Sequence, residues 1–240
     1  MLIFLKLSNN FFKAKNKRVE EQHIHKGNIA RSGGIYIYLS LLVGSYTLEN
    51  YMILNWLIFY LPVLILTFIE DFIIQINPRL RLFLLSLFIF IFISFTNFLT
   101  LPHLDTPILS IINDNSFLQK IFFSFALISL INGNNLIDGV NGLCMSVFMF
   151  QIFSLILMYM LIDADIFKFS FILIPCFIFM LVNYPKGKIF LGDSGSFLLA
   201  FLSGCLVINF FANNPEISSY YALVILSYPV IEMVFSFFRK

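Results

Sequence analysis

Three segments of this sequence carry residues that could do chemistry. Glu70 and Asp71 form an acidic pair at the end of an apolar run, followed by Asn77-Pro78-Arg79-Leu80-Arg81. A second segment reads Asn132-Gly133-Asn134-Asn135-Leu136-Ile137-Asp138-Gly139-Val140-Asn141-Gly142. A third reads Lys186-Gly187-Lys188-Ile189-Phe190-Leu191-Gly192-Asp193-Ser194-Gly195-Ser196. Each has an ordinary reading when taken alone. An acidic pair at a helix end is usually a solvated cap, and Asn- and Gly-rich stretches are usually turns. Gly-Asp-Ser-Gly-Ser can be an N-cap, with Asp193 or Ser194 accepting backbone N–H bonds at a helix start.

Together the three segments point to one chemistry. Oxygen donors without Cys or His suit a hard cation, Mg²⁺ first, held by one or two carboxylates plus substrate phosphates. The Gly-rich stretches leave backbone N–H groups open to phosphate oxygens. Lys186, Lys188, Arg79 and Arg81 add positive charge nearby. This set suits phosphoryl transfer, in which catalysis is mostly positioning and charge neutralisation.

The elements that must position these residues are membrane helices. Of 240 residues, 60% are hydrophobic and 12% charged, where soluble domains carry about a quarter charged. The mean hydropathy is +0.92. Continuous apolar runs, without the period-2 alternation of an outer-membrane barrel, predict an all-α, polytopic transmembrane bundle. The runs place eight spans near 35–48, 52–69, 82–100, 121–131, 143–162, 167–182, 197–211 and 220–238. The catalytic segments are then loops on the cytoplasmic side. Residues 1–34 form a basic cytoplasmic segment and 35–240 the membrane domain.

Basic residues give the direction. Threaded alternately, one side receives 13 of the 15 Lys and Arg residues, and the other only Lys120 and Lys168. The first side is therefore expected to be cytoplasmic. Glu70, Asp71, Asp138 and Asp193 fall at helix ends on that face, and Glu232 lies close to it inside the last span. Glu49, Asp105, Asp114, Asp163, Asp165 and Glu216 read as solvated acids of the external loops. Ionisable residues at membrane depth are costly and tend to face functional cavities. A net charge of +2 argues for no nucleic-acid partner. Cys144, Cys176 and Cys205 lack metal-ligand spacing and read as small buried side chains. His23 and His25 read as part of a solvated loop.

Asn-x-x-Asn-x-x-Asp-Gly from Asn132 and Lys-x-Phe-x-Gly-Asp-Ser-Gly-Ser from Lys188, with an acidic pair upstream, resemble the polyprenyl-phosphate N-acetylhexosamine-1-phosphate transferase family. Arg31-Ser32-Gly33-Gly34 is similar to the family's Arg-x-Gly-Gly entry to an early helix. The resemblance runs in matching order from about Lys26 onward. It implies a bacterial inner-membrane enzyme with a cytoplasmic active site. Polyprenyl phosphate would attack the β-phosphate of a UDP-sugar, giving polyprenyl-diphospho-sugar and UMP, with Mg²⁺ or Mn²⁺.

The resemblance also implies roles. Asp71 would be the base for the lipid phosphate, and Glu70 beside it would bind substrate. Asp193 would be a Mg²⁺ ligand. Asp138, with Asn132 and Asn135 on one helix row, would position the nucleotide diphosphate or metal. Arg31 and Lys188 would bind substrate. Phe190 would stack on uracil or serve in ordinary packing, and both readings stand. Direct attack and a covalent carboxylate intermediate both fit. Gly-Asp-Ser-Gly-Ser lies closer to the N-acetylhexosamine branch, hence a donor such as UDP-GlcNAc.

The family continues into a His-rich loop that this chain is expected to lack. A truncated or split, inactive family member is therefore one alternative, and a transporter is another. A transporter would carry its acids near the bilayer midplane, whereas these sit at one face.

Overall fold

The computed structural model describes residues 31–73, 75–95, 102, 110–163 and 166–239. The basic run up to Lys26, with His23 and His25, lies outside the described residues, as do His103, Asp105, Asp165 and the end of the expected third span. The described secondary structure is helical, with no strand among the described residues.

The helices are α1 (Gly33–Thr47), α2 (Tyr51–Phe72), α3 (Pro78–Phe95), α4 (Ser110–Asp114), α5 (Ser116–Ile137), α6 (Leu143–Leu161), α7 (Phe167–Ser170), α8 (Leu173–Asn183), α9 (Gly192–Asn213), α10 (Tyr220–Ile225) and α11 (Ser227–Phe238). Four of them, α2, α5, α6 and α9, are each long and apolar enough to cross a membrane. A helix of 22 residues, as in α2, α5 and α9, is about 33 Å long, the thickness of a bilayer core. Large apolar side chains point outward, as Phe150 (67% exposed) and Leu181 (66%) do. Water would penalise that surface, and lipid does not. The protein is a helical membrane protein.

Helix α9 is the pillar. Its apolar stretch is 89% buried, and α1, α2, α5 and α6 all pack against it. Phe201 on α9 anchors an aromatic core, 5.0 Å from the Tyr60 ring and 5.1 Å from the Phe92 ring. Small residues bring backbones close, as is common between membrane helices. A side chain at Gly204 would collide with Leu127, and one at Gly133 with the Pro229 carbonyl of α11.

Several expected boundaries are corrected. The sixth expected span divides into α7 and α8, and the eighth into α10 and α11. Proline explains both. Pro175 has no N–H for the Phe171 carbonyl, nor Pro229 for the Ile225 carbonyl, and each break falls there. Pro62 leaves α2 continuous. The three catalytic segments are also more helical than expected. The fourth span runs Ser116–Ile137, not 121–131, so Asn132, Asn134 and Asn135 belong to α5. The seventh starts at Gly192, not 197, so Gly-Asp-Ser-Gly-Ser is the first turn of α9. Asn77 accepts from Arg79 N–H (3.0 Å), so Pro78-Arg79-Leu80-Arg81 opens α3 instead of forming a loop.

Candidate active site

The site is built where the ends of α2, α3, α5 and α9 meet the start of α1. Asp71 lies in the last turn of α2. Its Oδ1 accepts from the Asp193 N–H (3.4 Å) and its Oδ2 from the Ser194 N–H (3.2 Å). These are donors of the first turn of α9, which has no side-chain cap of its own at Leu191. A helix's first N–H groups need an acceptor, and its N-terminus favours an anion. Asp71 supplies both from another helix.

Glu70, one residue earlier, faces Arg81 of α3. One guanidinium nitrogen, Nη1, is 2.9 Å from Glu70 Oε1 and 2.9 Å from Asp193 Oδ2. Three helices are thus joined through one cation.

Asp138 caps the C-terminus of α5. Burial pushes its carboxyl well above the usual carboxylate range, and the charges of Asp193 and Asp71 add to this, while Arg31 opposes it. The three aspartates expected from the sequence therefore act on one another electrostatically. Asn135 accepts a hydrogen bond from the Ser196 hydroxyl (3.0 Å), tying α5 to α9. Asn132 turns its amide back to the Ile128 carbonyl of its own helix (2.8 Å).

Two backbone bonds set the segment leading into α9 against the start of α1. Gly33 N–H donates to Phe190 O (3.0 Å), and Gly34 N–H to Leu191 O (2.9 Å). Arg31 is thereby brought against Gly192, where a Cβ would stand 2.8 Å from the Arg31 carbonyl and 2.9 Å from Asp71 Oδ2. Gly192 also has φ +76°, a left-handed conformation that glycine adopts without strain. Phe190 is half-buried, and Lys188 is exposed in the same segment, its backbone N–H donating to Val182 O (3.4 Å).

Three positioning residues escaped the sequence reading. Asn134, buried between the two expected asparagines, donates to Ser196 O (2.7 Å) and to Cys144 Sγ (3.3 Å). Asn183, at the end of α8, accepts from Gly142 N–H (2.6 Å) and donates to Ile189 O (2.8 Å). It fastens the segment after Asp138 to the segment before Asp193. Arg81 is, from the sequence alone, only nearby positive charge. The signal for the asparagines was present: amide side chains inside apolar helices require partners.

The donor set is all oxygen. Among the described residues, no group of three or more His, Cys, Asp or Glu converges as a ready-made metal cage. Asp71 is engaged by backbone N–H groups, and Glu70 and Asp193 by Arg81. A hard cation would take one or two of these carboxylates and complete its shell with phosphate oxygens or water, the usual habit of Mg²⁺. The residues fit such an ion in that form.

Comparison with known proteins adds three findings. The profile of glycosyl transferase family 4 matches residues 53–211. An undecaprenyl-phosphate alpha-N-acetylglucosaminyl 1-phosphate transferase of Thermotoga maritima is 28% identical over 224 residues, 93% of this chain and 65% of that protein. A phospho-N-acetylmuramoyl-pentapeptide-transferase of Listeria monocytogenes is 30% identical over 176 residues, 67% of this chain and 53% of that protein. The chain thus spans between half and two thirds of the length of these relatives.

Proposed function

The chain belongs to glycosyl transferase family 4, and from that premise we propose that it transfers a sugar-1-phosphate from a UDP-sugar to a polyprenyl phosphate, releasing UMP. This is a membrane step of cell-envelope polysaccharide synthesis. The observation that carries the reading is the Asp71–Asp193–Arg81–Glu70 cluster at one end of a membrane bundle. A lipid acceptor would meet a polar donor at such a place.

An oxygen of the lipid phosphate forms the new bond to the β-phosphorus, and the bond from that phosphorus to the bridging oxygen breaks. UMP leaves with the bridging oxygen. Asp71 takes the proton of a monoprotonated lipid phosphate. Its two oxygens each accept one backbone N–H, and each retains a lone pair. Mg²⁺, or Mn²⁺, would be held by Asp193 and Asp138 and would neutralise charge on the diphosphate. Asn132, Asn135, Lys188 and Arg31 bind the nucleotide diphosphate, Phe190 stacks on uracil, and Glu70 keeps Arg81 in place. The donor is UDP-GlcNAc or a related UDP-HexNAc. The site faces the cytoplasm of a bacterial inner membrane, which the distribution of Lys and Arg supports.

The test is UMP release by membranes given UDP-GlcNAc and polyprenyl phosphate, with UDP-MurNAc-pentapeptide as the competing donor. Release that depends on Mg²⁺ and is lost in Asp71→Asn and Asp193→Asn is expected. No release with either donor overturns the activity, and unchanged release in both variants overturns the site.

A further inference from the structure

Arg81 stands in an unusual position. One nitrogen serves two carboxylates on two other helices, Glu70 of α2 and Asp193 of α9, each at 2.9 Å. The three side chains are sheltered, with Glu70 8%, Arg81 18% and Asp193 23% exposed. The guanidinium carbon also lies 5.6 Å from the Phe197 ring centroid, within cation–π range. Phe197 is one turn along α9 from Asp193. The cation is therefore anchored on the same helix whose carboxylate it holds. Arg81 sits in the first turns of α3, where Asn77 fixes the helix start.

Both arms hold carboxylates, but the arms differ. Asp193 is the carboxylate to which the proposed reaction assigns the divalent cation, whereas Glu70 is given no such task. A hard cation that takes Asp193 Oδ2 and the Arg81 guanidinium would compete for the same oxygen. The Glu70 arm and the Phe197 face can keep Arg81 in place when the Asp193 arm is released.

We propose that Arg81 is a positioning residue that holds Asp193 in the metal-free protein and yields it to the divalent cation, remaining tethered to Glu70. The metal half of this inference rests on the proposed transferase reading, and the clasp half does not. In this view Arg81 fills the cation's place between substrates, which limits repulsion among Asp71, Asp138 and Asp193 and keeps the start of α9 aligned.

The test uses the purified full chain in detergent, with melting followed in EDTA and in Mn²⁺. In EDTA, Arg81→Gln is expected to lower the melting temperature by about 2–4 °C. The Arg81→Gln/Asp193→Asn double variant should melt no lower than the lower of the two single variants. In Mn²⁺, Arg81→Gln should gain more than wild type, because its Asp193 is already released. Arg81→Lys keeps a charge without the planar fork and should gain an intermediate amount, which serves if Arg81→Gln does not fold. Losses that add in EDTA overturn the clasp. Equal Mn²⁺ gains in wild type, Arg81→Gln and Arg81→Lys overturn the exchange. The UMP assay on wild type separates the two readings: the melting pattern without UMP release sinks the transferase reading and leaves the clasp standing.

Discussion

The Asp71 carboxylate on α2 accepts the Ser194 backbone N–H on α9 at 3.2 Å, across 123 residues of sequence. This bond, with its 3.4 Å neighbour to Asp193, makes Asp71 the cap of the central helix. The residue assigned as base is therefore also structural. Asp71→Asn retains one acceptor oxygen and turns the other into an NH₂ group facing an N–H donor. The lost cap is expected to cost about 1 kcal/mol. The lost base is expected to cost more, about 10²- to 10⁴-fold in UMP release. Melting temperature and UMP release measured on one preparation separate the two effects.

Gly192 is fixed by the same junction. Alanine there would hold φ at +76° and place its Cβ against Arg31 O and Asp71 Oδ2. The left-handed backbone alone costs about 1–2 kcal/mol, and relieving the contacts requires the Asp71 cap to move. Gly192→Ala should therefore melt lower and lose UMP release. Gly139→Ala is the control, since a Cβ there meets nothing within 4 Å. Equal behaviour of the two variants would refute the packing argument.

The helical membrane class was legible because apolar runs, charge depletion and basic residues are local properties. The breaks at Pro175 and Pro229 were also visible in principle, since proline removes a defined hydrogen bond. The helix ends near the site were not. Asn132 to Asn135 read as turn formers, yet Asn132 bonds back to Ile128 and Asn134 to Ser196, so α5 continues through them. Gly-Asp-Ser-Gly-Ser starts a helix because Asp71 caps it from α2. Pairings such as Asp71 with Ser194, or Arg81 with Asp193, depend on tertiary approach, and no local pattern encodes them.

Asn183 is buried and serves two backbone groups in different segments. Asn183→Asp cannot donate to Ile189 O, and Asn183→Leu leaves both the Gly142 N–H and the Ile189 carbonyl unmet. Each unsatisfied buried group costs about 1–3 kcal/mol. The segment carrying Lys186 and Lys188 should loosen, since both side chains are already exposed. Faster trypsin cleavage at these lysines is expected in both variants, more in Asn183→Leu, together with reduced UMP release. Unchanged cleavage rates would show that Asn183 does not hold the two segments.

Asp138 carries a pH signature. Its folded carboxyl is pushed above the ordinary value of 3.8 by burial first and by the Asp193 and Asp71 charges next. Above its ordinary range the unfolded carboxyl has lost its proton while the folded one still holds it. The folded state then binds more protons, so stability falls as pH rises, until the folded group also ionises. In EDTA, the wild-type melting temperature should therefore decline with pH across that window. Asp138→Asn has no proton to lose. It should reduce the decline and melt higher than wild type near neutral pH, while losing UMP release. A divalent cation stabilises the ionised carboxylate and should reduce the wild-type decline. A variant that melts lower at every pH and keeps the wild-type slope would show that Asp138 is held in its charged form by the fold.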